Sequence, residues 1–328
     1  MEKKKLNTIK KYLKKINLNN ISRISIIKSG KNNKIYKINV DKKIVILKSY
    51  FGEKKLRIKK ELQFYRYLNQ QKIKNVVTPI AFELNKNFLI LPYIDGNKIR
   101  KIEDKHIIKI SNFINKINKK KNFKKLDLAV EGIKNRKKYI SICYNRIKKL
   151  KLVSKRSVIN KKLQYFLNQE IIPTFKILKK KLNEKNILDK VDYKLYKKDM
   201  IISPSDFGFH NVIESNKKLI FFDFEYSGYD DPVKLVCDFY CQPNKKISLE
   251  QKEKFKNSII KKFKNYEKID YLISQLLPLH YLKWCCIILN EFIPSKLSIR
   301  NHAGQVNNNT LKKQLIKARK YFNQNLKV

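Results

Sequence analysis

Asp206 precedes Asn211 by five residues in Ser203-Pro204-Ser205-Asp206-Phe207-Gly208-Phe209-His210-Asn211, and Asp223 follows twelve residues later within Leu219-Ile220-Phe221-Phe222-Asp223-Phe224-Glu225. Phosphoryl transfer requires groups of these types. One carboxylate must stand beside the attacking hydroxyl to orient it and take its proton, while an amide oxygen and a second carboxylate hold Mg2+ against the phosphates. Short apolar runs at residues 211–214 and 218–224 flank Ser215-Asn216-Lys217 and predict a hairpin, which would bring the three residues together. Asp and Asn also favour turns, so the first pair alone does not make a site.

The elements that must position these residues are legible in the hydrophobic pattern. Leu6, Ile9, Leu13 and Ile16 form one stripe of a basic amphipathic helix over residues 3–18, expected to pack on its own domain rather than on a membrane surface. Residues 21–29, 34–40 and 43–50 read as β-branched, aromatic strands, followed by a helix over 53–68 with Leu56, Leu62, Tyr65 and Leu68 on its apolar side. Strands near 81–84 and 88–93 complete a five-stranded antiparallel unit with one inserted helix. After the break Ile94-Asp95-Gly96-Asn97 the pattern turns helical, near 104–118, 132–149, 159–182 and from 249 onward. The expectation is an α+β chain of two lobes, residues 1–94 and residues 95–328, with the catalytic loop, metal site and acceptor site in the second.

The 203–223 segment resembles the D-x-x-x-x-N loop and the later metal-binding aspartate of the aminoglycoside phosphotransferase and choline kinase families. Phe222-Asp223-Phe224-Glu225-Tyr226-Ser227-Gly228-Tyr229 is particularly similar to choline and ethanolamine kinases. The resemblance spans about residues 24–295 and implies a protein-kinase-like fold and ATP-dependent transfer of the γ-phosphate to an alcohol, with Mg2+. Asp206 would then be the catalytic base, and Asn211 and Asp223 the metal ligands. Lys48 ends Val45-Ile46-Leu47-Lys48 in the way kinase-like folds present a phosphate-binding lysine, and Glu61, thirteen residues on, is its implied partner. Gly30 and Asn33 lie in the turn that covers the nucleotide in the family, although one glycine does not make a G-x-G-x-x-G loop. Pro92, Tyr93 and Ile94 would form the interlobe segment whose backbone receives adenine. Asp230-Asp231-Pro232 resembles the family's helix start, with an Asp cap and Pro in the first turn. Asp238 matches an aspartate that braces the catalytic loop. Pro204 departs from the family, many of whose members have His there, and His210 is expected to support the loop or contact phosphate rather than to act as base.

Composition sets the remaining bounds. With 328 residues and 42% hydrophobic content the chain can bury a sizeable core. The formal charge of +50 would ordinarily suggest a polyanionic partner. However, 68 of the 77 basic residues are lysine, spread over every segment beside abundant Asn and Ile, a composition that A/T-rich codons produce by themselves. No recognition motif accompanies the charge, so nucleic acid is not expected as a partner. Cys143, Cys237, Cys241, Cys285 and Cys286 include no C-x-x-C pair and are expected to be buried thiols in a reducing compartment. The pattern shows no apolar stretch approaching about 20 residues and no signal-peptide core, which gives a cytoplasmic expectation without a membrane span.

For the acceptor, Glu225, Asp230 and Asp231 form the local acidic cluster that an aminoglycoside polycation would need, and Phe224, Tyr226, Tyr240 and Trp284 are candidates for a choline cage. Glu225, Asp230 and Trp284 are the acceptor-site residues to examine. A neutral or anionic hydroxyl compound such as a sugar derivative suits so basic a chain better. An amino-alcohol kinase is the alternative, followed by a pseudokinase, which Pro204 and the glycine-poor turn would fit, or an RNA-binding protein.

Overall fold

The computed structural model describes residues 2–27, 32–52, 56–120, 124, 126–185, 187, 195–243, 246–302 and 309–327. Its first half is built on hairpins. β1 (Ile21–Ile27), β2 (Lys34–Val40) and β3 (Lys43–Ser49) run antiparallel, and Asp41 and Lys42 between β2 and β3 take φ of 47° and 59°. Two positive φ values in a two-residue loop match the right-handed twist of the flanking strands. After α2 (Leu56–Gln70), β4 (Ala81–Glu83) and β5 (Phe88–Pro92) close the sheet in the order β1-β2-β3-β5-β4.

The two faces of this sheet bury different things. Tyr36, Ile38, Val40, Val45, Leu47, Phe88 and Ile90 meet Ile9, Tyr12 and Leu13 of α1 (Glu2–Lys15). The three α1 side chains together contribute on the order of 5 kcal/mol of burial, which holds the basic helix to its own sheet. The opposite face lies over α2, and from there a continuous apolar core extends through the helical half of the chain.

That half begins with β6 (Asn97–Lys98) and α3 (Asp104–Ile117), continues through α4 (Lys138–Lys151), α5 (Val158–Phe166) and α6 (Ile172–Glu184), and returns to strand at β7 (Ile201–Ser203). β8 (Val212–Ser215) and β9 (Lys218–Phe221) are the expected hairpin, turning at Asn216 and Lys217 with φ of 48° and 60°, and β6 adds to its edge. β10 (Gly228–Asp230) pairs with β7, a strand pair that the sequence pattern did not indicate. α7 (Pro232–Tyr240), α8 (Leu249–Ile260), α9 (Tyr266–Ile288), α10 (Pro294–His302) and α11 (Thr310–Asn325) complete the chain. This is an α+β fold with an N-terminal antiparallel sheet and a helical C-terminal region.

One expectation is corrected. α9 and the turn after it, Tyr266–Phe292, are long and apolar enough to cross a membrane by length and composition, which the sequence reading denied for every segment. The cause lies in packing. Leu272, Leu276, Leu279, Leu282, Cys285 and Cys286 are all buried, because α9 lies among α4, α7 and α11, and a helix enclosed on several sides is apolar on several sides. All five cysteines are free and buried.

Candidate active site

Lys48 reaches the cleft because of strand periodicity. Val45 and Leu47 face the α1 side of β3, so Lys48 projects to the other side, toward α2. It is 4% exposed. Its Nζ lies 2.5 Å from Glu61 Oε2, 2.7 Å from Asp223 Oδ1 and 3.7 Å from Glu225 Oε2. Glu61 stands on the stripe Ile58, Leu62, Tyr65 that α2 buries. Tyr50 donates its hydroxyl to the same Glu61 oxygen that Lys48 holds, and Tyr65 OH donates to Oε1 at 3.4 Å. Burial alone would lower the Lys48 pKa, but Asp223, Glu61 and Glu225 together raise it above its ordinary value. Lys48 is therefore held as a cation although it is buried.

The loop from Ser203 to Asn211 is fixed at several points. Ser205 takes φ of 67° and donates its N–H to Ser203 Oγ at 2.9 Å, a local turn that leaves Asp206 at the rim with its side chain 38% exposed. The Asn211 amide nitrogen donates to the Asp206 carbonyl at 2.9 Å, and His210 Nε2 lies 3.3 Å from Asp206 Oδ1. Phe207 anchors the loop against Phe113 and Phe221, with ring centroids 5.9 and 5.8 Å away. Gly208 lies where any Cβ would meet Gln242 Oε1 at 2.6 Å, and Gln242 in turn donates to the Phe207 carbonyl at 3.1 Å. His210 thus touches the candidate catalytic carboxylate itself.

Asp223 follows β9 with φ of 66°, and its carboxylate stays partly open to solvent. Phe224 fastens it from behind, tilted against Phe64 with ring centroids 4.9 Å apart and edge-on 5.3 Å from Tyr65, both of α2. Phe222 N–H donates to the Asn211 carbonyl at 3.2 Å, which joins the loop of Asp206 to the Asp223 segment. An amide oxygen from Asn211 and a carboxylate from Asp223 are the hard-oxygen donors that Mg2+ prefers, so this pair fits the ion. Glu61, Asp223 and Glu225 also bring carboxylate oxygens within 4.8 Å of one another. Their cation is already present as the Lys48 ammonium, so the trio does not call for a metal.

The other expected positions divide. Gly30 lies outside the described residues. Asn33 is buried in the turn before β2 and donates to Glu225 Oε2 at 2.7 Å, while Asn32 donates to Glu225 Oε1 at 3.3 Å. Pro92, Tyr93 and Ile94 leave β5 half-buried. Pro92 has no N–H and that of Tyr93 is engaged by the Ile44 carbonyl at 3.2 Å, which leaves Ile94 N–H as the donor this segment offers.

Two acceptor-site expectations are corrected by burial. Glu225 is 1% exposed and occupied by Asn32, Asn33, Arg57 and Lys48, so it closes the N-terminal sheet onto the Asp223 segment and offers no carboxylate to an acceptor. Asp230 is 0% exposed and accepts from Ile133 N–H at 2.8 Å, Asp231 N–H at 2.9 Å and Lys234 at 3.0 Å. Asp231 caps α7 at Val233 N–H and binds Arg136 Nε at 3.1 Å. The aromatic cage is not assembled either. Phe224 is buried against α2, Tyr226 lies under Arg57, and Tyr240 OH is bonded to Glu253. Trp284 is half-buried and donates Nε1 to Asp238 Oδ1 at 2.8 Å.

Asp238 reaches the loop through a residue that sequence reasoning missed. Lys234 Nζ lies 3.0 Å from Asp230 Oδ2, 3.0 Å from Asp238 Oδ2 and 3.4 Å from Ser205 Oγ. Burial alone would raise the Asp238 pKa, but Lys283 and Lys234 hold it well below the usual carboxylate range. The signal for Lys234 was present: Lys234 and Asp238, four apart, are the two charged residues of an otherwise apolar helix, α7. A concavity of about 700 Å3 between α4 and α6, lined by Tyr144, Phe175 and Lys179 among others, carries none of these groups. Donor chemistry, rather than a cavity, marks the candidate site.

No protein-family model matches the sequence, and no curated protein matches it either. Solved structures do match in fold. Spectinomycin phosphotransferase APH(9)-Ia, determined with ADP and spectinomycin, aligns over 95% of this chain and 98% of its own at TM-score 0.62 and 12% identity. The gentamicin complex of APH(2")-IIa aligns over 97% and 95% at TM-score 0.64 and 16% identity. Choline kinase LicA from Streptococcus pneumoniae aligns over 97% and 98% at TM-score 0.59 and 16% identity. The chain therefore has the fold that aminoglycoside phosphotransferases and choline kinases share.

Proposed function

We propose that this chain is an ATP-dependent kinase that transfers the γ-phosphate to a hydroxyl of a small metabolite, a sugar derivative. The observation that carries the reading is the Lys48 ammonium held between Glu61 and Asp223, with Asp223 joined through Phe222 and Asn211 to the loop that presents Asp206.

In this reading Lys48 binds the phosphates, Asn33 lies in the turn beside them, and Pro92 carbonyl with Ile94 N–H receives the adenine edge. Asp206 orients the acceptor hydroxyl, with His210 steadying one carboxylate oxygen at 3.3 Å. As the acceptor oxygen forms its bond to the γ-phosphorus, the bond to the bridging oxygen of departing ADP breaks, and the hydroxyl proton passes to Asp206. Mg2+, held by Asn211 and Asp223, supplies charge neutralisation along the phosphates. The full set of Lys48, Asp206, Asn211 and Asp223 favours turnover over a pseudokinase. The burial of Glu225 and Asp230 disfavours a polycationic acceptor, and the engaged aromatic side chains disfavour a choline cage. A cytoplasmic location, where ATP is supplied, goes with this assignment.

Purified protein incubated with ATP, Mg2+ and hydroxylated metabolites should release ADP in an acceptor-dependent manner. Asp206→Asn should lower kcat by at least about 100-fold while ATP affinity is unchanged, since the residue acts on the acceptor and not on the nucleotide. Full turnover in that variant refutes the role of Asp206. Binding of RNA that collapses with salt, with no ATP binding, refutes the kinase reading itself.

A further inference from the structure

Behind the catalytic loop, α4, α7 and α9 enclose a niche lined by Tyr139, Ile142, Lys234, Leu279, His280 and Lys283. The space open to the centre of a water-sized atom is about 10 Å3, the amount one such atom requires. Two polar atoms there lack a hydrogen-bond partner: Tyr139 OH and His280 Nε2, on side chains of residues 4% and 2% exposed, whose rings lie 5.2 Å apart. Buried polar atoms without partners are costly and call for an explanation.

The hydrogen-bond sense of the niche follows from its neighbours. His280 Nδ1 lies 3.3 Å from Asp238 Oδ1, a carboxylate that accepts, so Nδ1 carries the proton and Nε2 presents a lone pair. Burial and the nearby Lys283 lower the His280 pKa to about 4, which keeps the ring neutral. Lys283 donates one N–H to Asp238 and, as an ammonium, has two more to give. Lys234 lines the same niche and touches Ser205, the residue before Asp206.

We infer that this niche is an acceptor subsite that seats one hydroxyl of a neutral, polyhydroxylated substrate, distinct from the hydroxyl that is phosphorylated. The seated oxygen accepts from Lys283 Nζ and Tyr139 OH, and its proton is donated to His280 Nε2. A carboxylate or phosphate has no proton for that lone pair and is too large for the space. An ammonium group meets the Lys283 charge and has no lone pair to accept from Lys283 or Tyr139. The inference rests on the kinase reading and narrows its substrate class.

The test uses the full chain, ATP and Mg2+ with a fixed panel: glucose, myo-inositol and glycerol as neutral polyols, gluconate and glucose 6-phosphate as anions, choline and kanamycin as cations. Turnover, read as ADP release, is expected only with neutral members. Tyr139→Phe removes a hydroxyl with no protein partner, so the variant should fold normally, keep its KM for ATP and show an acceptor KM raised about tenfold. Preference for an anionic or cationic member overturns the subsite. An unmoved acceptor KM in Tyr139→Phe overturns it too, leaving the niche as the place of a buried water. If no member is turned over, ligand-observed NMR of the three polyols decides: binding weakened in Tyr139→Phe supports the subsite, and no binding, or equal binding to both proteins, overturns it. Failure of wild-type protein to bind ATP overturns the kinase reading separately.

Discussion

Lys48→Met removes the ammonium at the centre of the site and keeps most of its apolar stem. What remains is a set of three carboxylates, Glu61, Asp223 and Glu225, with oxygens within 4.8 Å of one another and two of the residues fully buried. At an effective dielectric of about 20, two charges at that separation repel by about 3 kcal/mol. In the wild-type protein Lys48 at 2.5 and 2.7 Å offsets this repulsion. Arg57, 3.5 Å from Glu225, remains as a partial counter-charge. Removing the cation should therefore cost about 3–5 kcal/mol at pH 8, much of the margin a domain has. The carboxyls of the variant would escape by keeping their protons, so their folded pKa values rise above the unfolded ones. Stability from such groups is fully present below the unfolded carboxyl pKa and is lost as pH rises through the folded one. The gap between wild type and variant should accordingly widen from pH 5 to pH 8. Urea unfolding followed by the fluorescence of the single tryptophan, Trp284, reads this directly. A gap below about 1 kcal/mol, or one that does not change with pH, would show that Lys48 is not what neutralises the trio. Glu61→Gln is the control, because Asp223 and Glu225 still pair Lys48, and its cost should be smaller.

Gly96 lies hard against β8, where an added Cβ would stand 2.5 Å from Ile213 Cγ2 and 2.6 Å from the Glu214 carbonyl oxygen. Gly96→Ala should lower stability by about 1–3 kcal/mol, since the backbone oxygen cannot swing aside, and an unchanged Tm would refute the close approach. His280 is neutral in the fold with its pKa lowered to about 4 from the ordinary 6.5, so the unfolded chain binds the extra proton between those values. Wild-type stability should fall by up to about 3 kcal/mol from pH 6.5 to pH 4 on this account, and His280→Gln should lack that part of the slope. Equal slopes in denaturant titrations of the two proteins would place the pH dependence elsewhere.

The sequence carried the local parts of this site better than its long-range parts. The β8–β9 hairpin, the alternation that points Lys48 away from α1 and the α2 stripe that contains Glu61 all follow from periodicity over a few residues. Acceptor roles for Glu225 and Asp230 failed because exposure was the hidden variable. A carboxylate near a catalytic loop reads the same whether it faces a cleft or is enclosed by Asn33 and Lys48, which lie 192 and 177 positions earlier in the chain. The β7–β10 pair was missed for a related reason: each strand has three residues, too few for a period, and their pairing is set by the tertiary arrangement. α9 shows the converse error. Lys283 interrupts its apolar run, so no stretch of about 20 apolar residues stands out in the sequence, yet that charge is buried by pairing with Asp238.

The charge of the chain gains a different meaning once burial is known. With 77 basic residues against 27 acidic ones, a carboxylate placed at random would most often have a lysine neighbour at the surface and contribute little there. Glu61, Glu225, Asp230, Asp231 and Asp238 are instead buried around the cleft, each holding a specific Lys, Arg, Asn or backbone donor. Breaking one member of such a network costs several kcal/mol, whereas a surface pair costs a fraction of one. The basic excess is thus a property of the solvated exterior, and a buried subset of the scarce acids fixes Lys48 and, through Lys234, the loop of Asp206. A compositional drift toward lysine could rewrite the surface of this fold without touching the site. Charge-reversing substitutions among exposed lysines should therefore leave acceptor turnover intact, whereas neutralising any of these five acids should not.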